Sequence, residues 1–198
     1  MKIVVFGPTG MIGSRVVAEL RGRDHEVTGA SRSTGTDVTD AAAVAQALAG
    51  DPDAVIVATS TRDSDATFSD VARALFDGLR RAGVSRVINV GGAGSLEVEP
   101  GVRLLDTPDF PAAAKGEASE AAEALLLWRE VEDLDWTYVS PGAFIHPGER
   151  TGRYRLGGDS FVTDGKPMAE VSAEDFAIAL ADLAESRDHV RERVSVAW

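Results

Sequence analysis

Three glycines at 7, 10 and 13, set in the run VVFGPTGMIGSRVV from Val4 to Val17, carry the chemistry written most plainly in this chain. The run begins as a short apolar strand, breaks at glycine and resumes with helical periodicity, and in that context the spacing builds a site for a diphosphate. Gly7 permits a sharp exit from the strand, Gly10 a close approach of backbone to phosphate, and Gly13 tight contact between helix and sheet. The free N–H groups of the first helical turn then face the anion, with the helix dipole behind them. Thr9, Met11 and Ile12 complete the same clamp. Ile12, Gly13, Val16, Val17 and Leu20 share one helical face, which turns that side of the helix toward the sheet.

A dinucleotide held there presents its adenosine ribose at the end of the second strand, roughly 20 residues further on. NAD calls for an Asp or Glu at that place, and the chain instead reads Ala30-Ser31-Arg32-Ser33. A guanidinium and hydroxyls suit a 2′-phosphate, so NADP(H) is favoured over NAD(H). A solvated Arg32 on a surface turn is the alternative, and it leaves the preference open. Asp37 and Val38, placed after a third strand, and Ala58, Thr59 and Ser60, placed after a fourth, border the same cleft. Asp37 could accept from an adenine amino group or serve the turn beside Thr39 and Asp40. Thr59 and Ser60 either contact ribose or form a turn.

Other chemistry-bearing residues are sparse. His146, of the residue type suited to proton donation near neutrality, lies near the expected mouth of the site, where a surface or packing role is the alternative. His25 and His189 sit in turn-like surroundings and read as solvated. Arg150, Arg153 and Arg155 could hold an anionic group of a substrate or form a solvated face with Glu149 and Asp159. The three histidines are widely separated and no HxxxH or clustered carboxylate pattern stands out, so no metal site is expected.

These residues need a scaffold, and the chain supplies an alternating one. Short runs rich in valine and isoleucine at 3–6, 26–30, 54–58, 86–90 and 136–140 read as buried parallel strands. Helical stretches at about 11–22, 40–49, 65–82 and 112–133 separate them, the last with a surface-exposed start at 112–124. That order predicts an α/β fold: one doubly wound, mainly parallel sheet with helices on both faces, in a single domain over 1–198. Asp40 and Asp63 are expected N-caps, and Gly22, Gly50 and Gly83 expected left-handed terminators. After residue 140 glycines, prolines and mixed charge mark 141–172 as the substrate side. A final helix follows, capped by Ser172, with Phe176, Leu180 and Leu183 on one face. The segment 95–110 lacks periodicity and reads as a mobile lid or as packing against the last helix.

With 198 residues, 20 Lys and Arg against 32 Asp and Glu, and a net charge of -12, the chain suits one core and repels a polyanion. A phosphate must be held by a local site, and nucleic acid is an unsuitable partner. The sequence contains no cysteine, which removes disulfides and thiolate chemistry. No signal peptide or membrane-length apolar run is visible, so a cytoplasmic protein, monomer or homodimer, is expected.

The chain resembles the atypical short-chain dehydrogenase/reductase group, NADH-flavin reductase-like and NAD(P)H-binding, and more distantly the biliverdin reductase B-like proteins. The resemblance runs end to end and rests on GPTGMIG at 7–13, DVTD at 37–40, NVGGAGSL at 89–96, LDTPDFP at 105–111 and DWTYVSPGAFIHPGERTGRYRLGGD at 135–159. It implies a Rossmann fold, a reduced nicotinamide cofactor and a flavin or similar planar acceptor as substrate. By this likeness Pro141, Gly142 and Phe144 flank the nicotinamide, with Gly91 on the same side. The chain departs from the group's alcohol dehydrogenases and sugar epimerases, which use Ser, Tyr and Lys with a YxxxK spacing. Gly142 and Gly158 stand four positions after Tyr138 and Tyr154, Ala114 precedes Lys115, and the strand end that would bear the serine reads Gly91-Gly92. A flavin can take its proton from solvent, so positioning two rings suffices. The expected function is therefore NADPH-dependent hydride transfer to a flavin, quinone or similar acceptor. A non-catalytic NADP(H)-binding redox sensor is the alternative, and a sugar-nucleotide epimerase or dehydratase fits less well.

Overall fold

The computed structural model describes residues 1–62, 64–162 and 169–198. Its strands are β1 (Lys2–Phe6), β2 (Glu26–Ala30), β3 (Ala54–Val57), β4 (Arg86–Val90), β5 (Glu97–Glu99), β6 (Val102–Arg103), β7 (Asp135–Pro141), β8 (Phe144–His146), β9 (Arg155–Gly157), β10 (Glu170–Ser172) and β11 (Glu192–Ala197). The helices are α1 (Met11–Gly22), α2 (Ala41–Ala47), α3 (Phe68–Ala82), α4 (Lys115–Arg129) and α5 (Ala173–Glu185). The apolar runs are too continuous to leave one face in water, so they pair in parallel and are covered on both sides. The central sheet has the order β2-β1-β3-β4-β7-β11-β9, all parallel except the edge strand β9.

The chain runs from β1 outward to β2, then crosses back to β3 on the other side of β1. That reversal opens a crevice beyond the carboxyl ends of β1 and β3, where a doubly wound sheet binds its ligand. Gly7 and Ala58 form its two lips. On one face α2, α3 and α4 bury Val44, Leu75, Leu79 and Trp128, with Phe76 edge-on to Trp128 at 4.6 Å. On the other, α1 contributes Val16 and Leu20 against Phe176 and Leu180 of α5.

Several expectations are corrected by packing. No strand lies between β2 and α2; a short 3-10 turn, Arg32–Thr34, stands where a third strand was expected ahead of Asp37. Helix α4 begins at Lys115 after a 3-10 turn at Ala112–Ala114, and Ala121, Ala122 and Ala124 are buried against the sheet, so the alanine-rich segment is only partly a surface helix. Helix α5 buries Ala173, Asp175 and Ala181 as well as its expected apolar face, because it lies between α1, the sheet and the 148–155 loop.

Gly83 ends α3 at φ +73° as expected, whereas the reversals after α1 and α2 fall on Asp24 (φ 61°) and Asp51 (φ 51°) rather than on Gly22 and Gly50. A short polar side chain tolerates this region nearly as well as glycine. Asp40 caps α2 by accepting from Ala42 N at 2.8 Å. Asp63 lies outside the described residues, and α3 is capped by a reciprocal pair, Thr67 and Asp70.

The segment 95–110 is neither structureless nor packed on α5. It forms the β5–β6 hairpin, buries Leu96 and Leu105, and is tied by backbone bonds from Glu97 N to Asp159 O and from Phe161 N to Glu97 O. No helix among the described residues is long and apolar enough to cross a membrane.

Candidate cofactor and substrate site

The glycine turn can be tested position by position for what its missing side chains make room for. A Cβ on Gly7, whose φ is +78°, would lie 2.4 Å from Ala58 O, and one on Gly13 would lie 2.0 Å from Gly7 O. These two glycines are required by the protein's own backbone. Gly10 is different, because a Cβ there would meet nothing nearer than Gly7 O at 3.6 Å. Gly10 is also the N-cap of α1, and no side chain caps it. The N–H groups of Met11, Ile12 and Gly13 therefore lack intrahelical partners and point past an open Cβ position. That arrangement fits a diphosphate, which supplies the acceptors the helix end lacks.

Ser31 and Arg32 follow β2 on the same edge of the sheet. Ser31 N donates to Thr34 Oγ1 at 2.9 Å, the Ser31 and Ser33 hydroxyls are 2.8 Å apart, and Gly35 closes the turn at φ +85°. The stretch from Ala30 to Thr36 contains no carboxylate. Asp37 accepts from both Thr39 N (2.9 Å) and Thr39 Oγ1 (2.7 Å), and these bonds hold its carboxyl below the usual range. It serves the local turn, while Val38 packs on the core beside α2 and α3. Ala58, Thr59 and Ser60 follow β3, and Ser60 Oγ accepts from Arg62 N at 3.3 Å. Arg62 Nε in turn donates to Glu117 Oε2 at 2.9 Å, joining this segment to the first turn of α4.

Gly91 directly follows β4, and Pro141, Gly142 and Phe144 lie at and beyond the end of β7. The sequence-predicted cofactor residues at 7–13, 31–32, 58–60, 91 and 142 thus follow strands at the carboxyl edge of the sheet, Pro141 is the last residue of β7, and Phe144 opens β8 in a separate ribbon. Gly142 lets the chain pass Ala169, whose carbonyl oxygen would be 2.7 Å from a Cβ. Beyond it β8 pairs with β10, exposing Phe144 and His146 while Ile145 packs inward. His146 Nδ1 is 3.0 Å from Pro147 O.

The tyrosines are committed elsewhere. Tyr138 is 2 % exposed and its hydroxyl donates to Ala121 O at 2.9 Å; burial pushes its pKa up. The Tyr154 hydroxyl donates to Asp182, and burial followed by that carboxylate pushes it up as well. Neither is available as an acid, and a serine at 91 would collide with the Tyr138 ring.

Arg150 is paired with Glu19 through two contacts of 2.9 Å, and Arg155 donates to Trp198 O. His25 is not solvated, as its side chain lies 2.6 Å from Glu185; His189 pairs with Glu192. No group of three or more potential metal ligands occurs among the described residues.

Two residues escaped sequence reasoning. Asp175 reads as a first-turn acid of α5, yet it is fully buried and accepts from Thr151 Oγ1 (2.5 Å), Gly152 N (2.9 Å) and Trp198 Nε1 (2.8 Å). Trp198 belongs to no motif. Only the return of β11 alongside β7 brings it to the site, so no local signal announces it.

A family model described as NAD(P)H-binding matches residues 34–187. The uncharacterized protein YwnB of Bacillus subtilis is 34% identical over 208 residues, spanning 99% of this chain and 98% of that protein. Among solved structures, a presumed exported protein of Burkholderia pseudomallei is 42% identical with a TM-score of 0.90, covering 100% of both chains. A presumed NADH-flavin reductase of Streptococcus pneumoniae is 33% identical with a TM-score of 0.85, covering 100% of this chain and 99% of its own.

Proposed function

The chain belongs to the NAD(P)H-binding family, and on that premise we propose that it is an NADPH-dependent reductase delivering hydride to a flavin, a quinone or another planar acceptor. The observation that carries the cofactor half is the open Cβ position at Gly10 above three unpartnered helical N–H groups. NADPH bound there supplies the hydride. Gly7, Thr9, Gly10, Met11, Ile12 and Gly13 hold the diphosphate, and Ser31 and Arg32 take the 2′-phosphate, since nothing between Ala30 and Thr36 suits a bare 2′-hydroxyl with a carboxylate. Thr59 and Ser60 border the ribose. Gly91, Pro141, Gly142 and Phe144 flank the nicotinamide, and 141–172 forms much of the substrate side, of which 163–168 lie outside the described residues.

The acceptor half follows from what the site lacks. Both tyrosine hydroxyls are tied to protein acceptors, and Tyr138 fills the place of a serine at 91. Reduction of a carbonyl needs a placed acid, whereas a flavin or quinone ring can draw its proton from water or from His146. Catalysis then rests on stacking the two rings at reacting distance. The presumed flavin reductase among the relatives supports this choice. We place the protein in the cytoplasm, acting without nucleic acid or membrane.

NADPH loss followed at 340 nm with FMN, FAD, riboflavin and quinones tests the reading, and turnover above the enzyme-free rate with at least one acceptor is expected. Tight NADPH binding without turnover on any of them would instead support a redox sensor, the reading that the committed tyrosines also favour.

A further inference from the structure

Strand β11 runs parallel to β7 and pairs Val196 with Pro141, so Trp198 emerges on the same edge of the sheet as the Pro141–Phe144 segment. Its backbone N–H donates to Glu170 O at 3.0 Å, and Glu170 is the partner of Phe144 in the β8–β10 ribbon. Strand alternation puts Phe144 and His146 on one face of β8, with Ile145 on the other. The Trp198 indole stands edge-on to the His146 ring, with centroids 6.2 Å apart and planes at 76°. Phe144 is 51% exposed. The C-terminal indole thus meets the His146 ring, and Phe144 lies exposed on the same face of β8 two residues away.

The indole is held in that pose. Its N–H reaches the buried carboxylate of Asp175, which also accepts from Thr151 and Gly152 and so fixes the 148–155 loop beneath the ring. A carboxylate is costly to bury unless several donors meet it, and here three do, two from the 148–155 loop and one from the end of β11. Trp198→Phe would keep a ring and remove only the tether.

We propose that Phe144, His146 and Trp198 form a stacking shelf for a planar heteroaromatic acceptor, with Asp175 as the positioning residue that orients Trp198. This rests on the reductase reading above and narrows its acceptor to ring systems large enough to span more than one of these side chains. A fused tricyclic ring such as an isoalloxazine has that extent, stacking on one of these rings and meeting its neighbour edge-on.

Riboflavin is the probe, titrated calorimetrically into the full chain saturated with NADP+. Trp198→Ala should weaken riboflavin about tenfold and Trp198→Phe about threefold, the scale of one aromatic contact and of its misorientation. NADPH affinity should change less than about twofold in both, because the diphosphate and ribose contacts lie across the cleft. Asp175→Asn should match Trp198→Phe, and the double variant should be no weaker than either single one, since both break the same tether. If Asp175→Asn does not fold, the two Trp198 variants decide alone. Equal riboflavin affinity in native protein and Trp198→Ala, additive losses in the double variant, or no riboflavin binding by the native chain would each overturn the shelf. Turnover of NADPH with other acceptors is scored separately: its absence sinks the reductase reading while the riboflavin series still decides the shelf.

Discussion

The ring of Tyr138 occupies the space that any side chain on Gly91 would need. A Cβ at Gly91 would lie 1.9 Å from Tyr138 Cε1 and 2.6 Å from its hydroxyl oxygen, while that hydroxyl reaches past β4 to Ala121 O on α4. The strand end that could bear a catalytic serine and the tyrosine nearest to it exclude one another. A packed ring thus stands where that serine would be, which is what supports the proposed choice of an acceptor that needs no placed acid.

Gly91→Ser should therefore be among the most damaging substitutions at the site, costing more than about 3 kcal/mol because a buried ring must move. Tyr138→Phe should cost about 1 kcal/mol, the net worth of one buried hydrogen bond. Combining Gly91→Ser with Tyr138→Leu should cost less than the sum of the two single changes. Urea midpoints of the four proteins check this, and strict additivity would show that the ring does not exclude the side chain.

Gly10 and Gly13 separate binding from folding. Gly13→Ala places a Cβ 2.0 Å from Gly7 O and should destabilise the fold and abolish cofactor binding together. Gly10→Ala meets only ordinary contacts, so its stability cost should stay near or below about 1 kcal/mol, the difference between Gly and Ala at an N-cap. Its methyl group would stand where the diphosphate approaches, and NADPH affinity should fall more than about tenfold, a loss of about 1.4 kcal/mol. Thermal midpoints beside NADPH titrations distinguish the two; unchanged affinity in Gly10→Ala would place the diphosphate elsewhere.

The proposed preference for NADPH over NADH rests on Arg32 and can be tested there. Arg32→Asp removes a bidentate phosphate donor and installs a carboxylate that can accept from a ribose 2′-hydroxyl. The ratio of NADPH to NADH affinity should invert. A ratio unmoved by this change would mean that Arg32 does not touch the 2′-phosphate.

How far the sequence could be read depended on how local each feature is. The alternating runs from Ile3 to Ser140 and the glycines at 7, 10 and 13 announced the sheet, its helices and the tight turn from β1 into α1, because period and turn chemistry are short-range properties. The missing strand before Asp37 could not be foreseen, since Ser31, Ser33 and Thr34 bond to one another in a tight turn that mimics a strand end in composition. Gly91 was legible as a departure from a serine, but its cause, the ring 47 positions later, was not. Trp198 and Asp175 were silent because a pair formed across β11, α5 and the 148–155 loop leaves no spacing in the chain.

Asp175 also couples the 148–155 loop and Trp198 to acid. Burial alone would raise its pKa, but the bonds from Thr151, Trp198 and Gly152 outweigh it, and the folded carboxyl titrates below its unfolded value. An unfolded aspartate titrates near pH 3.9, so the stabilisation is fully present above about pH 4 and is lost as pH falls through the lower folded value. Asp175→Asn keeps one acceptor oxygen but turns an amide against donors that need an acceptor, and should cost about 2–3 kcal/mol at pH 7. Below about pH 4 the native protein gives up its own advantage, so the gap between native and variant urea midpoints should narrow at pH 3. A gap that stays constant from pH 7 to pH 3 would mean that Asp175 titrates alike in the folded and unfolded chain, and that its three partners do not favour the charged carboxylate.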